Sequence, residues 1–301
     1  MRVERRKPRT ARVGVFGVGY HVYWRQFPGL LDELRGKLDV LVRKTAVTGV
    51  SVENFGIVDK AQDAYALLPR LKAADLDLVF CDMLTYATSG TFASIVRNLD
   101  VPIVLVALQP LAALDYARTT THMQLANDDF CSVPEFTGVA LRMGKRPPEV
   151  ILGTLEGDAE ADAEIADWCD VAMALHDVKR ARIGHFGHPI EHMFDMQTDQ
   201  AALTAAFGCH VVQTEADDLL RLEREVTREE VDRKCEAILA LFDTPNPGPD
   251  PVTRKLTPED LATAARVAVA LDKFVELHEL DGLAYYYEGE PGSPLRNLVT
   301  N

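Results

Sequence analysis

The sequence predicts an α/β fold made of two doubly wound, flavodoxin- or Rossmann-like domains with parallel sheets. Three observations predict it. Short apolar strands alternate regularly with helical patterns through the first half of the chain. The run Pro102-Ile103-Val104-Leu105-Val106-Ala107 is apolar almost throughout, as expected of a strand covered on both faces. The β-α pattern then restarts at Arg182-Ile183-Gly184-His185-Phe186, which places one domain at 1–177 and a second at 178–301.

In chain order, Val13-Gly14-Val15-Phe16 is the first strand, and Pro28 suits the first turn of a helix reaching about Val42. A strand near Val47 to Val52 precedes a helix over Gln62 to Ala73. The third strand is Leu76 to Cys81, and Ser89 is placed to cap the helix that follows it to Leu99. After the buried strand at Pro102 comes a fifth, Glu149 to Leu152, and an acidic helix over Asp158 to Leu175. In the second half, Asp199 to Phe207 reads as helix and Cys209 to Gln213 as strand. Thr227 with Glu230 forms a capping box that opens a helix to about Leu241. The proline-rich stretch from Thr244 to Pro251 is a stiff surface loop. Thr257-Pro258 starts a helix whose buried stripe is Leu261, Ala264, Ala268, Leu271 and Val275. That helix delivers the chain to a strand at Leu283-Ala284-Tyr285-Tyr286-Tyr287-Glu288, and Leu295 to Asn301 reads as the beginning of another helix.

Composition narrows the partners. The 32 basic and 46 acidic side chains leave a net charge of −14, a field that repels phosphate backbones and argues against nucleic acid. No apolar run has the length of a transmembrane helix, so no membrane partner is expected. The five cysteines are scattered without C-x-x-C spacing, and with no secretory apolar segment they point to reduced thiols and a cytoplasmic setting.

Candidate site residues cluster where strands end, because open α/β sheets bind ligands outside the carboxyl ends of their strands. Gly14, Gly17 and Gly19 invite a dinucleotide reading, but the third glycine position counted from Gly17 is Val22. A glycine turn opening a sugar pocket fits better. His21, Tyr23 and Trp24 follow the first strand, and Thr85-Tyr86 with Ser89 follows the third; rings and hydroxyls of this kind suit a sugar or, equally, a packed helix entry. Asp128, Asp129 and Glu135 can coordinate or cap. His188 and His192 are four apart, but Pro189 makes the segment a loop rather than a helix presenting two metal ligands. Glu288 ends the tyrosine strand where a metal or sugar would be held.

Taken together, His21-Val22-Tyr23, Met83-Leu84-Thr85-Tyr86, Glu135-Phe136, the interval from Phe186-Gly187 to Phe207-Gly208, and Lys273-Phe274 leading to Tyr287-Glu288 resemble the L-arabinose isomerase/L-fucose isomerase family, on the arabinose side. The resemblance implies a metal-dependent aldose–ketose isomerase working through a cis-enediol, with Glu288 as both Mn²⁺ ligand and acid/base carboxylate. It implies sugar contacts from His21, Tyr23, Tyr86 and Ile190, and a homo-oligomer whose sites form at subunit contacts. Tyr20, Leu84, Cys131 and the segment His188-Pro189-Ile190-Glu191 depart from the family pattern, so the sugar need not be arabinose. The family's other metal ligands fall past Asn301. On this resemblance the chain lacks the C-terminal domain and is inactive alone; a two-domain sugar binder without catalysis is the alternative.

Overall fold

The computed structural model describes residues 7–242, 257–286 and 290–299. These fall into two compact units, one ending at Asp177 and one beginning at Val178. Both are α/β with parallel sheets.

The first unit is a five-stranded sheet in the order β2-β1-β3-β4-β5, formed by β1 (Ala11–Val18), β2 (Val50–Val58), β3 (Leu78–Met83), β4 (Ile103–Gln109) and β5 (Glu149–Thr154). Every pairing is parallel. The strand period of two sends alternate side chains to opposite faces. One face carries Val13, Val15, Leu78, Phe80, Val104 and Val106, covered by α2 (Leu30–Thr45) and the first part of α7 (Ala159–Arg180). The other carries Phe16, Val79, Cys81, Met83, Leu105 and Ala107, covered by α3 (Ala61–Ala73), α4 (Gly90–Asn98) and α6 (Val133–Arg142). On that side the Phe92 and Phe136 rings stack with centroids 5.0 Å apart. Each fully buried Leu or Phe in these layers contributes roughly 1.5–3 kcal/mol.

Three short helices escaped the sequence pattern: α1 (Val22–Gln26), α5 (Thr121–Ala126) and α9 (Ala216–Arg224). The first two have five and six residues, too few turns to show an apolar stripe. The same reading also missed α6, where Pro134 sits in the first turn. Pro28 lies just ahead of α2 rather than inside it, because Gly29 takes the N-cap position with φ 91°. The strand expected at Val47 to Val52 runs instead over Val50–Val58. It is an edge strand with exposed Ser51, Glu53 and Asn54, so its apolar content misplaces it.

The second unit has a three-stranded sheet, β7-β6-β8, from β6 (Arg182–Phe186), β7 (His210–Thr214) and β8 (Gly282–Tyr285), again all parallel. Between β6 and β7 lies α8 (Gln200–Phe207), whose first turn is capped by Asp199 accepting from the Ala201 and Ala202 amides. The capping box of Thr227 and Glu230 opens α10 (Arg228–Leu241). A second box, Thr257 with Asp260, opens α11 (Pro258–Leu277). The buried face of α11 is Ala265, Val267, Val269, Ala270 and Phe274. The expected stripe of Leu261, Ala264, Ala268, Leu271 and Val275 is only half-buried, one helical position round from the core. Part of it (Ala264, Ala268, Leu271) lines an apolar cavity of about 130 Å³ under Phe186 and Leu283. Residues after Pro291 do form a helix, α12 (Pro294–Val299). The proline-rich stretch at 244–251 lies outside the described residues.

Gly49, between α2 and β2, is fixed for two reasons at once. Its φ is +91°, and a Cβ there would run into the Arg9 carbonyl oxygen. Since neither a backbone carbonyl nor a left-handed φ relaxes cheaply, Gly49→Ala is expected to cost about 1–3 kcal/mol, read as a lowered midpoint in urea unfolding.

Candidate functional site: the aromatic crevice of the first unit

In the order β2-β1-β3-β4-β5, the chain leaves β1 for one edge of the sheet and returns through β3 toward the other. The crevice beyond the carboxyl ends of β1 and β3 is therefore the topological switch point, where open sheets of this kind bind ligands. The loops after β1 and β3 bring three tyrosines together there. Tyr20 packs edge-on to Tyr23 (5.2 Å between centroids) and to Tyr86 (5.8 Å), with Tyr23 and Tyr86 6.5 Å apart. The His21 ring meets Tyr20 at 5.4 Å but is itself exposed, and its Nδ1 lies 3.3 Å from the Asp59 carbonyl. Tyr20, Tyr23 and Tyr86 are each half-buried, so part of each residue remains accessible.

The glycines after β1 make room for side chains rather than for a pyrophosphate. A Cβ on Gly17 would strike Leu84, and on Gly19 it would lie 2.9 Å from the Trp24 ring. Trp24 Nε1 in turn donates to Asp59 Oδ2 at 2.6 Å, tying the loop after β1 to the end of β2. The space over Gly19 is thus filled by indole, which runs against a dinucleotide there.

The loop carrying Tyr86 is held on every side. Ser132 Oγ accepts from the Ala87 N–H and donates to the Ala87 carbonyl, both at 2.9 Å. Glu135 Oε1 accepts from the Ser89 amide at 2.8 Å. Ser89 is the N-cap of α4 but makes no side-chain cap bond, so the capping role expected of it belongs to Glu135. Beneath the loop, buried Lys37 of α2 donates to the carbonyls of Leu84 (2.9 Å) and Ala126 (3.0 Å) and to Asp129 Oδ1 (2.6 Å). Asn127 closes the far side, its side chain exchanging two hydrogen bonds with the Leu111 backbone.

Electrostatics follow from this enclosure. Burial raises the Tyr23 phenol, with Asp128 adding to it, and burial followed by Glu135 raises the Tyr86 phenol. Both remain neutral hydroxyl donors. Burial likewise raises Asp128 and Cys131, which hydrogen-bond each other. The crevice therefore offers ring faces, phenolic hydroxyls and a carboxyl group, which can stack on and hydrogen-bond a ligand.

In the second unit, the loop after β6 carries His188, Ile190 and His192. Gly187, at φ +84°, lies against Tyr286, and the His188 ring meets the Tyr286 ring at 4.2 Å between centroids, tilted by 31°. His188 Nδ1 contacts the Pro189 carbonyl, and His192 is exposed in a non-helical segment. Ile190 is half-buried in this loop. Tyr287, Glu288 and Gly289 lie outside the described residues, and with them the glutamate singled out from the sequence. Among the described residues no three His, Cys, Asp or Glu side chains converge to hold a metal ion. No helix of the described residues is long and apolar enough to cross a membrane.

Lys37, Asp82, Asp129 and Ser132 did not enter the sequence reading as parts of one site. Lys37 did leave a signal, since it falls within the stripe Leu30, Leu34, Leu38, Leu41 that α2 buries. Asp82 left another, as a carboxylate in a strand buried along its whole length.

No protein-family model matches the chain. Over 179 residues it is 25% identical to an L-arabinose isomerase from Nocardioides sp., a match taking in 58% of this chain and 34% of that protein. The chain is distantly similar to an isomerase of that name, and the match spans about a third of that relative's length. A solved structure of a gut microbial diltiazem-metabolizing enzyme aligns over 58% of this chain and 50% of its own, at 13% identity and a TM-score of 0.29. That likeness is too slight to carry an argument.

The Ser132 clamp has a measurable consequence. Ser132→Ala leaves the buried Ala87 N–H and carbonyl without their partner, and is expected to cost about 1–3 kcal/mol. Faster amide exchange confined to residues 85–89 would accompany the loss.

Proposed function

We propose that this chain is the sugar-binding part of an aldose–ketose isomerase akin to the L-arabinose isomerases. The observation that carries the reading is the distant similarity to an L-arabinose isomerase, and the aromatic rings and phenols gathered at the switch point of the first sheet support it. Tyr20, Tyr23 and Tyr86 would lay their rings against the C–H faces of an open-chain or cyclic aldose. Their phenols and the Asp128 carboxylate would orient its hydroxyls, and His21 would flank the entrance. In this proposal Ile190 is a further sugar-contact residue, and the working enzyme is a homo-oligomer.

Isomerisation requires a proton to leave C2 and return at C1, and Glu288 is the acid/base carboxylate of the proposal. A divalent metal such as Mn²⁺ enters only through the same residue. Among the described residues no group of three His, Cys, Asp or Glu side chains converges to complete its ligand set.

A second reading, a sugar binder without catalysis, is favoured by one observation. The rings and phenols of the crevice, with Tyr20 edge-on to Tyr86 at 5.8 Å, are groups that can hold a sugar with no metal ion. Calorimetric titration of residues 1–301 with L-arabinose and other aldopentoses, with Mn²⁺ or with EDTA, separates the two. The isomerase reading expects binding that Mn²⁺ strengthens and Glu288→Gln weakens, with little or no turnover by this span alone. Binding that is indifferent to both Mn²⁺ and Glu288→Gln supports the binder. No sugar binding under any condition overturns both.

A further inference from the structure

Under the crevice the hydrogen-bond inventory does not balance. An ammonium has three N–H donors, and all three of Lys37 are committed, to Leu84 O, Ala126 O and Asp129 Oδ1. Asp82, on β3 and 4% exposed, faces the same buried space, and none is left for it. Its Oδ2 has no partner, and neither has Oδ2 of Asp129. Two buried carboxyls thus share one cation.

A buried carboxylate without donors costs several kcal/mol, whereas a carboxylic acid supplies its own donor and carries no charge. We propose that Asp82 is held as a neutral acid and acts, with Lys37, as the positioning pair of the crevice: its proton lets Lys37 keep hold of the Leu84 and Ala126 carbonyls, and losing that proton releases the loops that carry Tyr86 and Asp128.

The pieces around Asp82 are accounted for. On the strands beside it, its register partners are Gly17 of β1 and Val106 of β4, which carry no charge. From α2 it faces Lys37, and from the loop after α5 it faces Asp129. Cys81, its neighbour on β3, points to the opposite face with its thiol pushed well up by burial. Asp128 is the remaining nearby carboxyl and acts on Asp129. Among these, Lys37 is the one cation. Burial is the first cause that raises Asp82 to about 8, with Lys37 opposing and Asp129 adding to the rise. Burial raises Asp129 as well, to about 7, but the ammonium at 2.6 Å opposes the rise, so Asp129 ionises before Asp82 and is the carboxylate of the pair.

Once Asp82 ionises, two anions compete in a buried site for an ammonium with three donors. To serve both anions, Lys37 must give up one of the two loop carbonyls. The two carbonyls it holds, Leu84 and Ala126, lie two residues before Tyr86 and Asp128 respectively, so the ligand-facing groups move with it.

Linkage fixes the sign. The unfolded chain releases the Asp82 proton near the ordinary value of 3.8, while the folded chain keeps it to about 8. The folded state therefore binds the extra proton, and the stabilisation is lost as pH rises through the folded value.

The inference rests on reading the crevice as the ligand site, and its measurements need no ligand. Failure to bind sugar would defeat the proposed function and leave these results standing. In ¹³C-aspartate-labelled protein, the Asp82 carboxyl carbon is expected to titrate near 8. Hydrogen exchange at about pH 6 and about pH 9.5, corrected for intrinsic rates, is expected to show protection of residues 84–89 and 126–132 falling roughly tenfold or more relative to α11. Asp82→Asn, neutral at every pH, is expected to keep that protection and to gain thermal stability relative to the wild type as pH rises. Lys37→Met is expected to lose loop protection at both pH values. Titration of Asp82 in the ordinary carboxylate range near 4 would overturn the proposal, and so would loop protection that is equally pH-dependent in wild type and Asp82→Asn.

Discussion

The buried ammonium of Lys37 is the contact on which the ligand-facing end of the first unit depends. It reaches from α2 to the loops after β3 and α5 and satisfies two carbonyls and one carboxylate there. Its three donors are fully used, so the geometry of those loops is set by stereochemistry rather than by a general attraction of opposite charges. Buried pairs of this kind add little net stability compared with an apolar packing, but breaking them is expensive. What such a pair does provide is a fixed register. Here that register governs where Tyr86 and Asp128 sit relative to Tyr20 and Tyr23.

Around this point the other loops are tied by neutral and charge-assisted bonds: Trp24 to Asp59, Ser132 to Ala87, Glu135 to Ser89, Gln109 to Asn127. The first joins the loops after β1 and β2, and the other three join segments at and after the ends of β3 and β4, so each side of the switch point is tied within itself. The second unit repeats the arrangement on a smaller scale. Its strand order β7-β6-β8 matches β2-β1-β3, and a ring after its first strand, His188, meets a ring after its third, Tyr286, as Tyr20 meets Tyr86. Parallel βα winding places these loops side by side wherever it is used, which is the physical reason both units gather aromatic residues at the same relative position.

Much of the architecture was legible in the sequence, and particular residues show why. The capping box at Thr227 is local, built from residues three apart, and it formed; Thr257-Pro258 opens α11 as read, with a box to Asp260 that only the structure showed. The apolar run at Ile103–Gln109 is a strand buried on both faces, as its composition required. The misplaced edge strand at β2 and the one-position rotation of the α11 stripe have a common cause: half-buried surfaces weaken the apolar period that locates an element. In the crevice, His21, Tyr23 and Tyr86 could be picked out because strand ends are where ligands bind. Glu135, by contrast, was a carboxylate with no assigned partner until the fold set it 2.8 Å from the Ser89 amide.

The sequence by itself determined the class of fold, the parallel winding, and which strand ends would carry aromatic and hydroxyl groups, because these follow from periodicity and spacing within short windows. Only the tertiary structure decided that Lys37 stands against Asp129, ninety-two residues away, and that Asp82 is left beside them without a donor. Hydrogen-bond satisfaction in a buried site is a count over every group that converges there. No window of sequence contains that count, since the groups come from α2, β3 and the loop after α5 and meet only when the sheet is wound.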